Sequence, residues 1–509
     1  MTSGRRWILI AVALGCVAGA NAATTLRDQS IEALQQSLSN GHTTAVALTE
    51  FYLRQISTMN RSGPDLHAVI AVNPDALAEA RASDRSRRAR GPRGPLEGIP
   101  VLIKDNIETE DPLPTTAGSL AMTGNVTHRD APVVARLREA GAIILGKTNL
   151  SEWANFRSTH AISGWSAVGG LTRNPYVLDR TACGSSSGSA AGVAADFAAG
   201  SLGTETDGSI TCPASMNGLV GLKPTLGLLP QAGIVPIAHT QDTAGPMGRS
   251  VTDVALLLGA LTGRDYRAGL DRAALAGKRI GVLRFKAGTQ PEMDRVYTAA
   301  LARLRAAGAT LIEVATPDMD PIQTAEQRTL LEEFKSQLNA YLSAAPATLK
   351  ARSLSDLIRF NRASPAELRF FGQELFLQSD ETQGTNSKDY ADSLAKARHL
   401  ARRDGIDRLL REQHLDLLVA PTTTPAWRVD IVYGDAQGDS FTTLAAVAGY
   451  PNLSVPMGQV RGLPVGLSFI GPADSEALLL DCGYAFEARG DGFVAPKFLP
   501  TVDRGFDVH

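Results

Sequence analysis

Apolar residues recur every three to four positions across residues 26–60 (Ile31, Leu34, Leu38, then Ala45, Leu48, Phe51, Leu53, Ile56), the spacing of helices that bury one face. An Ala/Arg-rich stretch over 74–90 predicts a further helix, and together these form an outer helical layer. Uninterrupted apolar runs at 99–103, 142–145 and 280–283 predict buried strands; they alternate with helical segments at 131–140 and 251–261. Such alternation points to an α/β fold, with helices covering a mixed central sheet. Between 317 and 405 the pattern turns polar and helical (325–342, 354–361, 365–377, 389–403), which predicts a helical cap inserted beside the site. Strand runs return at 415–420, 453–455 and 465–470. No repeat and no long Pro/Ser linker divides the chain, so a single domain is expected over 23–509, with the cap as an excursion from it.

The first 22 residues break the pattern. Arg5 and Arg6 precede an apolar run over 7–17, and Ala20-Asn21-Ala22 follows, the three parts of a secretory signal with cleavage after Ala22. A run of about 11 residues is too short to span a bilayer, which needs about 20. Export to the periplasm or medium is therefore expected, without stable membrane association. Leu14-Gly15-Cys16 loosely resembles a lipobox, although Ala13 stands where a larger aliphatic residue is usual.

Composition narrows the function classes. At 509 residues, 44% hydrophobic and 20% charged, the chain can bury a large core. Loss of Arg5 and Arg6 with the leader moves the net charge from −2 to −4, and no basic stripe suggests nucleic acid. Of four cysteines, Cys183, Cys212 and Cys482 remain after cleavage, enough for one bridge at most. Cys183 and Cys212 both lie near the candidate site, so a bridge between them is conceivable, but buried free thiols are the expectation.

The densest small-residue region runs Thr181-Ala-Cys183-Gly184-Ser185-Ser186-Ser187-Gly188-Ser189-Ala-Ala-Gly192, then Gly203-Thr-Glu-Thr206-Asp207-Gly208-Ser209-Ile210. A flexible linker would stay polar and featureless, whereas this segment runs into an Ala-rich helical stretch and then a strand-like one. A helix over 189–200 advances about 18 Å, and a strand over 201–205 returns about 16 Å. Ser185 and Ser209 can therefore meet at one end of the pair. A serine hydroxyl needs a base to become a nucleophile. The candidate is Lys104, which ends the apolar run Gly98-Ile99-Pro100-Val101-Leu102-Ile103, where desolvation can lower a lysine pKa from about 10.4 toward about 7. Asp105 would oppose that shift unless strand alternation turned it to the opposite face.

These three segments together resemble the amidase signature family, whose pattern is a lysine after an apolar strand, a Gly/Ser-rich run and a Gly-Ser-Ile segment 24 residues beyond its serine. The resemblance extends through Gly146-Lys-Thr-Asn149-Leu-Ser-Glu152-Trp153, Gly170-Leu-Thr-Arg173-Asn174-Pro175, Gly218-Leu-Val-Gly-Leu-Lys223-Pro224-Thr225, Asp242-Thr-Ala-Gly245-Pro246-Met247 and Gly449-Tyr450-Pro451. It is similar above all to the peptide amidases within that family, on residues 151–156 and 203–209 and on Phe371-Gly-Gln-Glu374. The resemblance implies hydrolysis of carboxamides to acid and ammonia, with Ser209 as the acylated nucleophile, Ser185 as a bridging serine held by a cis peptide bond, and neutral Lys104 as the base. It further implies an oxyanion hole from the backbone of Thr206, Asp207, Gly208 and Ser209, no metal or organic cofactor, and a peptide amide or other small amide as the partner. Two positions depart from the common family pattern: Asp207 replaces glycine and Thr211 replaces arginine. Trp153, Phe156, Phe371 and Tyr450 are candidate pocket residues, although aromatics at such positions more often belong to the core.

Other readings compete. Gly141-Ala-Ile-Ile-Leu-Gly146-Lys147-Thr148 satisfies the phosphate-loop pattern, but a phosphate loop follows a strand, and here a helix precedes and the motif itself is strand-like. Gly184-Ser-Ser186-Ser-Gly188 satisfies the nucleophile-elbow pattern, with Ser186 as nucleophile; that chemistry needs a histidine, and His239, His399 and His414 lie in no surrounding motif. A non-catalytic subunit on the same fold would have no need of all three of Lys104, Ser185 and Ser209. A broad aliphatic or aryl amidase, or an esterase, is the alternative within the family. A subunit working on glutamyl-tRNA would conflict with an exported chain.

Overall fold

The computed structural model describes residues 26–285 and 290–502; the leader-like segment lies outside the described residues. Eleven strands form one mixed sheet. In chain order the strands are β1 (Val69–Val72), β2 (Pro100–Lys104), β3 (Ile143–Thr148), β4 (Trp165–Ser166), β5 (Gly170–Leu171), β6 (Gly200–Glu205), β7 (Val220–Lys223) and β8 (Thr243–Gly248). They continue with β9 (Arg279–Val282), β10 (Thr310–Glu313), β11 (Leu417–Pro421), β12 (Asn452–Val460) and β13 (Leu463–Ile470). The sheet order is β1-β3-β2-β6-β8-β7-β12-β13-β11-β9-β10, while β4 and β5 pair separately. β2 runs parallel to both β3 and β6, and β6 runs antiparallel to β8.

Every residue of β2, β3 and β6 is buried, as expected of strands with both faces covered. On one side of the molecule the helices Ile31–Ser39, Ala45–Met59 and Val251–Thr262 pack with β2 and β3 in one apolar cluster. A second cluster joins β7, β9 and β11 to β13 with the helices Pro291–Ala306 and Glu476–Glu487. The predicted strands at 99–103, 142–145, 280–283, 415–420, 453–455 and 465–470 all correspond to strands, and the helices at 131–140 and 251–261 to Pro132–Glu139 and Val251–Thr262. β6, β7 and β8 were not legible as strands, apart from the short stretch at 201–205, because glycine, serine and threonine replace the apolar run. Gly203 shows why: a Cβ there would stand 2.8 Å from Ser186 Oγ and from Met247 Cε.

Two predicted helices are shorter than expected. The helix expected over 189–200 spans Ser187–Ala194. Buried Arg249 ends it by donating to Val193 O, Ala198 O and Asp196 Oδ1 at 2.9, 3.0 and 2.6 Å, which satisfies carbonyls that would otherwise continue the helix. Over 365–377 only Glu374 onward is helical, in Glu374–Glu381. The preceding turns put Glu367 in the interior, where it accepts from Leu120 N at 2.7 Å and Ser119 Oγ at 3.0 Å, and tertiary bonding overrides helix propensity. The rest of the cap consists of the helices Asp320–Ala344, Leu354–Ala363 and Lys388–Ala401. No helix among the described residues is long and apolar enough to cross a membrane.

Candidate active site

β2 delivers Lys104 to the interior, where its side chain is fully buried. Nζ lies 2.7 Å from Ser185 Oγ, 2.8 Å from Thr204 Oγ1 and 3.2 Å from Thr204 O. Burial pushes its pKa down from 10.5 to about 7, against the opposing pull of the Asp242 and Glu205 carboxylates. Asp105 points away, as alternation requires, and pairs with Lys147 at 3.5 Å.

Ser185 sits at the entry to the helix Ser187–Ala194, and the Gly184–Ser185 peptide bond is cis. Its neighbour Ser186 ties the two serine segments together: its N–H donates to Ser209 O at 3.1 Å, and its hydroxyl donates to Thr204 O at 3.0 Å while accepting from Thr204 N at 3.2 Å. Fully buried and doubly bonded, Ser186 cannot act as an exposed nucleophile, so the elbow reading fails.

Ser209 lies between β6 and the short helix Thr211–Met216, and lines a cavity of about 510 Å³. Its hydroxyl makes no hydrogen bond among the described residues, and the backbone N–H groups of Thr206, Asp207, Gly208 and Ser209 donate none either. Four consecutive free donors beside a free hydroxyl form a ready anion site. Gly208 enables the turn with φ +78°, and a Cβ there would press on Thr442 Oγ1 at 3.0 Å.

Two residues whose roles sequence reasoning missed hold this loop. Glu205 Oε2 accepts from Ile210 N at 2.8 Å and Thr211 N at 2.9 Å, a carboxylate at the start of the following helix. Asp242 Oδ1 accepts from Thr206 Oγ1 at 2.6 Å, and its Oδ2 accepts from Ile237 N and Ala238 N at 2.8 and 3.0 Å. Burial pushes Asp242 up to about 6. The clue to Glu205 is its place between two threonines of a small-residue strand, where a long carboxylate has no packing purpose. Asp242 carried no such signal.

Cys183 and Cys212 form a disulfide, with Cα atoms 6.0 Å apart, which corrects the expectation of free thiols. The fold brings the residue two before Ser185 against the residue three after Ser209, a proximity that sequence separation conceals. Cys482 is a buried free thiol.

The cavity wall is lined by Phe156, Phe285, Met319, Leu330, Trp427 and Phe441, among others. Of the four candidate pocket aromatics, only Phe156 is there. Trp153 packs edge-on to Phe376, Phe371 lies under the Arg157 guanidinium at 4.2 Å, and the Tyr450 hydroxyl donates to Asp407 at 3.0 Å. Among the described residues no histidine lines the cavity. The phosphate-loop pattern coincides with β3, and its Lys147 is buried and donates to Ile107 O at 2.5 Å.

The Amidase family model matches residues 47–480. The chain belongs to the amidase signature family. It is a hydrolase acting on amides, 40% identical to a probable amidase of Arabidopsis thaliana over 93% of this chain and 92% of the relative. The native peptide amidase of Stenotrophomonas maltophilia superimposes with a TM-score of 0.87 at 48% identity, covering 93% of this amidase and 99% of that chain. A structure of the peptide amidase PAM in complex with the competitive inhibitor chymostatin matches with a TM-score of 0.90 at 48% identity, over 93% and 100% of the two chains.

Proposed function

We propose that this amidase hydrolyses the C-terminal amides of peptides through an acyl-enzyme on Ser209, with Ser185 and Lys104 as its proton relay. The observation that carries the relay is Lys104: fully buried, 2.7 Å from Ser185, with a pKa lowered to about 7. That shift corresponds to about 5 kcal/mol favouring the neutral amine. A neutral amine has two N–H donors and one lone pair. Thr204 O and Oγ1 take the donors, and the lone pair is left for the Ser185 hydroxyl.

As Ser209 Oγ attacks the carboxamide carbon, its proton passes to Ser185 Oγ, and the Ser185 proton passes to Lys104 Nζ. The developing oxyanion accepts from the free amides of residues 206–209, a contribution often worth several kcal/mol. Return of the proton through Ser185 to the amide nitrogen lets the C–N bond break and ammonia leave. Water then attacks the acyl-enzyme by the same relay and releases the acid.

The substrate class rests on the two peptide amidase structures at 48% identity and on a cavity of mixed polar and apolar lining, with Phe156, Phe285, Leu330 and Phe441 among its residues, large enough for a side chain beside Ser209. A broader amidase of the same mechanism is the alternative, favoured by the likeness to the Arabidopsis relative. Action outside the cytoplasm is part of the proposal: residues 1–22 have the pattern of a secretory leader, and the Cys183–Cys212 bridge suits an oxidising compartment.

Ammonia release is to be compared for amidated dipeptides, free asparagine and glutamine, and simple aliphatic and aryl amides, with wild type and Ser209→Ala. Release from the peptide amides that disappears in the variant supports both parts. Release from simple amides alone removes the peptide substrate, and activity surviving the substitution removes the nucleophile.

A further inference from the structure

Among the described residues, the lining of the cavity that Ser209 enters holds three carboxylates, Asp207, Asp320 and Asp439, and no lysine, arginine or histidine. Asp207 is taken up inside the loop by Thr442 and Thr443. The other two differ from it. Both are exposed, and neither side chain makes a hydrogen bond or ion pair among the described residues. Asp320 opens the cap helix Asp320–Ala344, where a carboxylate also favours the helix dipole. No such duty falls to Asp439, which lies in the irregular segment before Phe441. It also borders a neighbouring groove that contains arginines, but these are engaged: Arg295 and Arg461 with Glu292, and Arg180 with Asp179.

The two exposed carboxylates belong to one end of the cavity. Met319 and Ile322, on either side of Asp320, pack in a single apolar cluster with Phe285 and Phe441, and Asp439 is two residues from Phe441. The rings of Phe285 and Phe441 stack at 5.2 Å within that cluster and line the cavity. Ser209 is more than nine-tenths buried, its hydroxyl has no partner among the described residues, and it opens into the same space. The cavity is therefore a ligand site on grounds independent of the acids. A peptide whose amidated residue reacts at Ser209 must lead the rest of its chain outward, past the groups exposed at the cavity rim. A rim of one charge sign attracts the opposite sign.

We propose that Asp320 and Asp439 are specificity residues that favour peptide amides with a cationic group upstream of the amidated residue and disfavour those with an acidic one. This deepens the reading of the enzyme as a peptide amidase and rests on it. The cation is an ammonium or guanidinium, on a side chain or at the peptide N-terminus. The carboxylates act on encounter and binding and take no part in proton transfer, so the effect falls on KM and not on kcat.

The test measures kcat and KM for N-acetylated dipeptide amides that carry Lys, Gln or Glu before a C-terminal Phe amide. Exposed ion pairs are individually weak, so at about 0.02 M salt the KM of wild type should rise about 3- to 10-fold from Lys to Gln and again from Gln to Glu. The gradient should shrink below about twofold at about 0.5 M salt, where screening acts within a few ångströms. It should shrink likewise in the double variant Asp320→Asn, Asp439→Asn. The Gln peptide with a free N-terminus distinguishes the sources of the cation. A KM lowered as by Lys supports recognition of either ammonium, and an unchanged KM beside an intact Lys preference supports recognition of the side chain alone. A preference that survives in the double variant, or that salt leaves unchanged, overturns the proposal. The salt series uses wild type, so it decides even where the variant does not fold. Hydrolysis of all three peptides at one KM overturns this inference and leaves the peptide reading standing, whereas hydrolysis of none of them removes both.

Discussion

The floor and the wall of the cavity are built on different principles. On the floor, Lys104, Ser185, Ser186 and Thr204 are buried within one hydrogen-bonded cluster, and Glu205 and Asp242 clamp the loop that carries Ser209. The wall comes partly from the cap. Met319, Asp320, Gln323 and Leu330, at or within the helix Asp320–Ala344, face the cavity, and the same helix packs Phe334, Leu338 and Leu342 into an apolar cluster with Phe156 and Phe376. Directional bonds hold the floor to a fraction of an ångström, as proton transfer needs. Non-directional packing holds the wall, which tolerates exchange of side chains of similar volume. The chemistry and the selection of substrate are therefore separable, and substitutions should sort by region.

The largest effect is expected at the floor. Lys104→Met should lower kcat about 10³-fold or more, as removal of a general base that acts in concert with a nucleophile does, with KM nearly unchanged. In wild type, activity should climb as pH rises through about 7, because Lys104 must lose its proton to act; a flat profile between pH 6 and 8, with chemistry rate-limiting, would remove lysine as the base. Glu205→Gln comes next. It keeps one acceptor for the Ile210 and Thr211 amides but not the charge, so kcat should fall about 10-fold with little change in KM. A change in KM alone would mean that Glu205 serves the pocket and not the loop. At the wall, Leu330→Ala should raise KM for peptide amides about 3- to 10-fold, the value of a few lost methylenes, and leave simple amides unaffected. Equal effects on both substrate sets would erase the distinction between floor and wall. The smallest effect is expected from substituting His239, His399 and His414 together by Gln: activity within twofold of wild type, since none of the three lines the cavity.

Legibility in the sequence followed the same division. Ser185 and Ser209 could be brought together because a run of glycine and serine merged into a helix and strand pair, and Lys104, which at the end of an apolar strand would by itself read as a surface lysine, became a candidate only because those serines need a base. The pair was legible despite the wrong helix length, since the return of β6 depends on the turn near Asp196 and not on where the helix stops. The pocket was not legible. Trp153, Phe371 and Tyr450 satisfy the same aromatic pattern as Phe156, yet they pack elsewhere, because apolar contact has no direction that a local pattern can encode.

The sequence by itself determined the α/β class, the cap as a separate helical stretch, and the residues able to supply a nucleophile and a base, because periodicity and residue chemistry are local properties. The tertiary structure alone decided the sheet order, the Cys183–Cys212 bridge and the clamps at Glu205 and Asp242. Each of these depends on groups that only folding brings within about 3 Å of one another.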